Sequence, residues 1–585
     1  MRVANALTRR GFLGTPLVSL PALSQGRARP NVIIVMTDDQ GYGDLSCHGN
    51  PVLRTPAMDR MHAESIRFTD FHSAPMCTPT RGQLLTGLDA LHNGATSVTA
   101  GRAIVRRGIP MMPELFRASG YATGVFGKWH VGDTYPYRPM DRGFDVAKYH
   151  HGFGISSAVE LGNDYANGRY QDNGVTKKFD GYCTDFWFAE AIRFMGDCAR
   201  RKQPFFCYLP TNTPHGPAWV DSKYSKPYSG QRPQAANFFG MIANLDENMD
   251  RLETFLARSG LKENTIFVFL TDNGGTGGVN VFNAGMRGRK TQLYHGGHRV
   301  PCFVRWPAAK WKTPADTSVP AQMQDLLPTL VDLCELKKPA GAQFDGASLA
   351  GILRGQTRQL ADRMLVVQYG QILKKWESCV IWGKWRLVNG TELYNLADDP
   401  GEKSDVAAAN ADVVRRMRAH YEQWWSRLEP GLREYVPVVV GASQQNPVYL
   451  CSADWQDIYC DNPNAVLSGA AGPRGGPWNV LVEQDGEYEV ALARWPFHDP
   501  LPLSAARPAQ QLTYGSLPEG KAFPIASATL QIAGQRLNGR ARSGDHSILF
   551  RVKLKAGTRT QLHGWFQDEA ANDLCGAYYA RVKRL

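Results

Sequence analysis

The 585-residue chain is 43% hydrophobic and 21% charged, an ordinary globular composition that excludes a disordered, collagen-like or coiled-coil protein. At roughly 150 residues per domain, its length predicts about four folding units and excludes a single small binding module. Lys and Arg outnumber Asp and Glu by 66 to 54, and the five Arg of the first 30 residues face no acid, which leaves +7 on the remainder. This mildly basic balance suits an anionic substrate. With neither a clustered basic face nor a reading motif, it does not indicate a nucleic-acid partner. Eleven Cys are too sparse and irregular for a disulfide framework, and no paired CxxC is present to hold zinc.

The opening segment carries Thr8-Arg9-Arg10-Gly11-Phe12-Leu13 and then a modestly apolar stretch with small residues and Pro. It resembles a twin-arginine export signal, and residues 1–30 are read as one, with a periplasmic or secreted destination. No later run reaches the ~18 to 20 apolar residues that cross a bilayer, so the mature chain is expected to have no membrane span.

From residue 31 onward, β-branched runs alternate with helical patterns, as in a mostly parallel sheet flanked by helices. Strands are predicted at 32–36, 123–126, 205–209, 266–270 and 302–304. Phe238, Met241, Ile242, Leu245, Met249, Leu252 and Leu256 recur every three or four residues and mark the core face of a helix. This α/β domain is expected to span 31–363. A small antiparallel sheet with a following helix is predicted over 364–435, its stripe running Val413, Val414, Met417, Tyr421, Trp424, Trp425, Leu428. Residues 436–585 alternate with period two and read as a β-sandwich, in which Trp478, Val480 and Val482 form a hairpin with Tyr488, Val490 and Leu492 across Asp485-Gly486. Its aromatics Trp478, Trp495, Trp565, Tyr578 and Tyr579 are assigned to the sandwich core rather than to sugar stacking.

Three motifs carry chemistry. The apolar run 32–36 ends in Asp38-Asp39, and the run 266–270 ends in Asp272-Asn273. Ligands of open α/β sheets sit beyond the carboxyl ends of strands, and adjacent carboxylates there repel unless a cation neutralises them. If the two strands are neighbours, the four side chains converge on an all-oxygen site for Ca²⁺, or Mg²⁺, rather than zinc. Between the strands lies Cys77-Thr78-Pro79-Thr80-Arg81. Pro79 predicts a helix whose N-terminus holds Cys77, where backbone N–H groups favour an anion. The glycines from Gly274 to Gly278 lack the spacing of a phosphate-cradling loop and are read as a flexible loop.

Cys77-Thr78-Pro79-Thr80-Arg81 resembles the C-x-P-x-R signature of the type I sulfatases, members of the alkaline phosphatase superfamily. Asp38-Asp39 with Gly41-Tyr42-Gly43, Leu84-Leu85-Thr86-Gly87, Gly127-Lys128-Trp129-His130, Pro214-His215, Thr271-Asp272-Asn273-Gly274 and Lys290 before Gly296-Gly297 follow in the family's order. The resemblance covers about 31–430. Three positions depart from the family: Thr80, Leu88 and His295 stand where Ser, Arg and Glu are common.

The resemblance implies a sulfuric ester hydrolase acting on an aryl or carbohydrate sulfate. In that family the Cys is oxidised to Cα-formylglycine by a formylglycine-generating enzyme, here before export. By the same resemblance, Asp38, Asp39, Asp272, Asn273 and residue 77 hold one Ca²⁺, Arg81 steadies the nucleophile, and Lys128 and Lys290 clamp sulfate oxygens. His130 takes the second hydroxyl's proton, and His215, with Lys290 as a possible partner, protonates the leaving group. A phosphodiesterase or phosphonate monoester hydrolase of the same superfamily shares this residue set, and a sulfated-glycan-binding protein with unconverted Cys77 is the alternative of another class.

Overall fold

The computed structural model describes residues 29–585, so the export motif lies outside the described residues. A ten-stranded sheet forms the centre of the α/β unit. Its middle strands are β1 (Asn31–Thr37), β2 (Ala122–Lys128), β3 (Phe205–Pro210), β4 (Thr265–Thr271) and β5 (Cys302–Arg305). They lie side by side in the order β5-β4-β1-β3-β2. The pairs β1/β4, β1/β3 and β2/β3 are parallel, and β5 runs antiparallel to β4.

The β1 sequence explains its central place. Alternate side chains face opposite sides of a strand; Val32, Ile34 and Met36 enter one apolar core and Ile33 and Val35 another. A strand covered on both faces needs a continuous apolar run, and each such side chain contributes roughly 1.5–3 kcal/mol by burial. The predicted periodic helix is Pro233–Arg258, and Met241, Leu245, Met249, Leu252 and Leu256 pack it onto the Ile33/Val35 face.

Beyond the α/β unit, Leu365–Gln368, Ser378–Trp382, Trp385–Val388 and Glu392–Asn395 form the expected antiparallel sheet. Helix Ala411–Leu428 covers it through Met417, Tyr421, Trp424, Trp425 and Leu428.

The C-terminal strands form two facing sheets, as expected of a sandwich, but the expected hairpin is absent. Trp478–Val482 pairs with Val438–Val440 and Arg559–Gln567, whereas Gly486–Ala493 pairs with Ile548–Leu554 and Tyr579–Arg584 in the opposite sheet. Period-two alternation shows only that both strands bury one face; it does not distinguish a partner beside a strand from one across the core. The would-be turn is tied elsewhere, with Asp485 accepting from Ala556 N–H at 2.6 Å. All five named aromatics are buried. The sandwich core also takes in Ile104, Tyr137, Ala158 and Leu161 from the α/β unit, and Tyr579 donates to the Ala158 carbonyl at 2.7 Å.

The glycine stretch after Asn273 is not a flexible loop. A Cβ on Gly274 would lie 2.1 Å from the Gly296 carbonyl oxygen, and one on Gly278 would lie 2.0 Å from Asp44 Oδ1. Glycine is there because backbone and side chains close in on it. All eleven cysteines are free thiols, and no helix of the described residues is long and apolar enough to cross a membrane.

Candidate active site

The β1/β4 register pairs Thr37 with Thr271, and Asp272 N–H extends the ladder to the Thr37 carbonyl at 3.0 Å. The two acidic motifs therefore leave the sheet side by side. Asp39 N–H donates to Asp272 Oδ1 at 3.2 Å, and the Asn273 amide lies 3.0 Å from Asp39 Oδ1. All four side chains are buried.

Helix Cys77–Thr86 begins at the signature and is buried along its whole length. Its first residue points into the acidic cluster. Cys77 Sγ lies 3.4 Å from Asp38 Oδ1, 3.5 Å from Asn273 Oδ1 and 3.4 Å from Lys290 Nζ. Burial, and secondarily the Asp38 carboxylate, hold this thiol far above its ordinary range.

Three cations answer the three carboxylates. Lys128 Nζ sits 2.6 Å from Asp38 Oδ2, and Lys290 Nζ lies 2.5 Å from Asp39 Oδ1. Arg81 reaches Asp272 Oδ2 at 2.8 Å, Asp38 Oδ2 at 3.8 Å and the Lys128 carbonyl at 3.2 Å. Arg81 Nε has no protein partner. Burial opposes ionisation of Asp39, but Lys290 and His215 overcome it and hold the carboxyl well below its usual range. Asp272 is pushed up to about 6 by burial and then by the Asp38 charge, against the pull of Arg81 and Lys128.

Both expected histidines face the same place. His215 Nε2 is 3.9 Å from Asp39 Oδ2, while Nδ1 meets the Gly216 carbonyl at 2.6 Å. Burial lowers its pKa to about 3 against the pull of Asp39. His130 is held far below its ordinary pKa by burial and then by Lys128 and Arg81; its Nδ1 has no partner. Asp39 and His130 both adopt left-handed backbone, at φ 68° and 60°. Such strain in non-glycine residues persists where the surroundings enforce it, commonly at functional sites.

These groups floor a cavity of about 500 Å³ whose lining includes Cys77, His130, His215 and Lys290. All ten predicted site residues thus converge. The cavity walls were not legible locally: Phe153 and Trp219 come from loops of the α/β unit, and Tyr459 and Asp461 from the sandwich. At the departing position 295, His295 is buried, and Glu402 accepts from its backbone N–H at 2.8 Å.

A family model described as Sulfatase matches residues 30–336, more than half of the chain. The chain belongs to the sulfatase family. This sulfatase is 28% identical to human N-acetylgalactosamine-6-sulfatase over 500 residues, covering 75% of this chain and 92% of that protein. Human arylsulfatase G is 27% identical over 471 residues, covering 69% and 87%. Among solved structures, Ps i-CgsB in complex with k-i-k-neocarrahexaose superposes with a TM-score of 0.62 at 26% identity, covering 68% of this chain and 92% of that one. The chain is an enzyme of sulfate ester hydrolysis, with a mixed α/β fold.

Proposed function

We propose that this sulfatase removes sulfate from a carbohydrate sulfate ester through a formylglycine hydrate at residue 77, assisted by one Ca²⁺. The carrying observation is the placement of Cys77 Sγ, within 3.5 Å of Asp38, Asn273 and Lys290 on the floor of the cavity. The relatives supply the substrate class: one is named for a 6-sulfated amino sugar, and another was solved with a carrahexaose. An aryl sulfate fits the same chemistry.

The donor set fits a hard divalent cation. Asp38, Asp39, Asp272 and Asn273 offer oxygen and are buried together, a hard-donor set of the kind that suits such an ion. Bound there, Ca²⁺, or Mg²⁺ in its place, supplies Lewis-acid charge to a sulfate oxygen.

The chain's own groups do the rest. The Sγ position stands for the hydrate's two oxygens. One, as the oxyanion, attacks sulfur, and the bond from sulfur to the alcohol oxygen breaks as that oxygen takes a proton. His130, neutral because it is buried among cations, then takes the proton of the second hydroxyl, sulfate departs, and the aldehyde is restored. A serine could not follow this route, having only one hydroxyl. Arg81 acts on this cycle through Asp272 and Asp38, and its positive charge beside residue 77 steadies the nucleophile's oxyanion. Lys128 and Lys290 neutralise sulfate oxygens.

For leaving-group protonation, Lys290 carries a proton in the free enzyme: burial opposes its charge, but Asp39 holds its pKa well above the ordinary value. His215 is neutral there and becomes an acid only once the anionic ester raises its proton affinity. We further propose export to the periplasm or outside the cell, supported by the Thr8–Leu13 motif, after conversion by a formylglycine-generating enzyme.

Mass spectrometry of the Cys77 peptide from the native host, beside kcat/KM for matched aryl sulfate and phosphate esters, tests the reading. The expected result is an aldehyde and a sulfate preference. A thiol in active protein refutes the mechanism, and a large phosphate preference points to the phosphonate and phosphodiester branch of the superfamily.

A further inference from the structure

The active-site cavity is closed on one side by the C-terminal sandwich. Tyr459, Asp461, Asn464 and Ser516 line it together with Cys77 and Lys290. This wall is fastened to the α/β unit along both edges. On one edge, Ala158 N–H donates to the Asp461 carbonyl at 2.7 Å, and Asp457 N–H donates to the Ala100 carbonyl at 3.2 Å. On the other, Thr513 N–H donates to Asp164 Oδ2 at 2.7 Å, and Gly515 is pressed so closely on Trp219 that a Cβ would lie 2.1 Å from the indole.

Two side chains of this wall face the cavity, and the Tyr459 hydroxyl and the Asp461 carboxyl interact with each other and with Asn462. Asp461 is 5% exposed, yet its Oδ1 has no hydrogen-bond partner, an arrangement that costs stability unless a ligand completes it. Tyr459 is 49% exposed at the cavity, whereas the sandwich's Trp478, Trp495, Trp565, Tyr578 and Tyr579 are buried. An exposed aromatic face beside a carboxyl with one unfilled oxygen suits a ring that is apolar on its face and rich in hydroxyl donors at its edge. Lys290, beside residue 77, lines the same cavity and attracts the Asp461 carboxylate. The cavity thus offers Lys290 to the sulfate being removed and the Asp461 carboxyl to the rest of the substrate. A second sulfate or a carboxylate placed against Asp461 meets like charge.

We propose that the 459–464 loop supplies a sugar subsite beside residue 77, where Tyr459 stacks on the ring and Asp461 accepts hydrogen bonds from its hydroxyls, selecting a neutral, singly sulfated sugar. This rests on the proposed function and names the substrate class of the same site.

The test compares kcat/KM for galactose 6-sulfate, N-acetylgalactosamine 6-sulfate and 4-nitrophenyl sulfate in the full-length, converted enzyme and in Tyr459→Ala, Asp461→Ala and Asp461→Asn. A hydrogen bond to a charged group is worth enough that the ratio of sugar to nitrophenyl kcat/KM should fall about tenfold or more in Asp461→Ala, chiefly through KM. Asp461→Asn, which keeps an acceptor oxygen, should lose less. Tyr459→Ala should lower the ratio in the same way, and as a surface change it carries little risk of misfolding. An unchanged ratio in both alanine variants overturns the subsite, as does a wild-type enzyme that hydrolyses the nitrophenyl ester but neither sugar. A converted wild-type protein that hydrolyses none of the three overturns the proposed function itself, and is told apart by its silence on every ester.

Discussion

Arg81 offers the sharpest test of how the site is held together. It is buried, 2.8 Å from Asp272 and 3.8 Å from Asp38. Arg81→Met keeps much of the side chain's volume and removes the charge, leaving two buried carboxylates with one counter-ion fewer. Breaking a buried pair from one side costs roughly 3–5 kcal/mol, because the remaining charge stays desolvated. At about 2 °C per kcal/mol for a large domain, calorimetry in chelator should show the transition of the α/β unit lowered by roughly 6–10 °C. Asp272→Asn in the same chain removes the stranded charge. The double variant should therefore be more stable than the sum of the single changes predicts, by about 2 kcal/mol or more in a double-mutant cycle. If Arg81→Met shifts the transition by less than about 2 °C, or if the two changes simply add, the guanidinium does not neutralise these carboxylates and the electrostatic account of the site is wrong.

Two other outcomes follow from the same geometry. His215→Ala should slow esters of poor leaving groups more than esters of good ones, read as a steeper dependence of kcat on leaving-group pKa; equal slowing across the series removes His215 as the acid. Asp44 is 1% exposed, accepts only from Gly41 N–H at 2.8 Å, and is pushed up to about 7 by burial. Since the folded chain holds this proton and the unfolded chain releases it near 4, stability is full below about pH 4 and falls as pH rises toward 7, by at most about 4 kcal/mol. Asp44→Asn should flatten the decline of Tm between pH 5 and 8; an unaltered slope means that Asp44 is already ionised in the fold.

The strands of the central sheet were legible because they are covered on both faces, which writes an uninterrupted apolar run into β1 and β4. The acidic residues at their ends were legible for a related reason: two carboxylates closing a buried run demand a partner, and the register of Thr37 with Thr271 supplies it. The sandwich was legible as a class but not in its pairing, since Trp478–Val482 and Gly486–Ala493 share one period while lying in opposite sheets. Tyr459 and Asp461 carried no signal at all. They belong to a loop without periodicity, and their place beside Lys290 exists only once the sandwich has docked. Close approach likewise hid behind the glycines after Asn273, whose meaning depends on neighbours far along the chain.

Cys77 is 1% exposed and opens a helix of which every residue is buried. A passage that admits a small ester does not admit another protein's catalytic groups. Any enzyme that oxidises this thiol must meet it on a nascent or still extended chain, so maturation and folding compete for the same few moments. On the proposed mechanism, a molecule that closes first is well formed but idle, and the active share of a preparation records which event won.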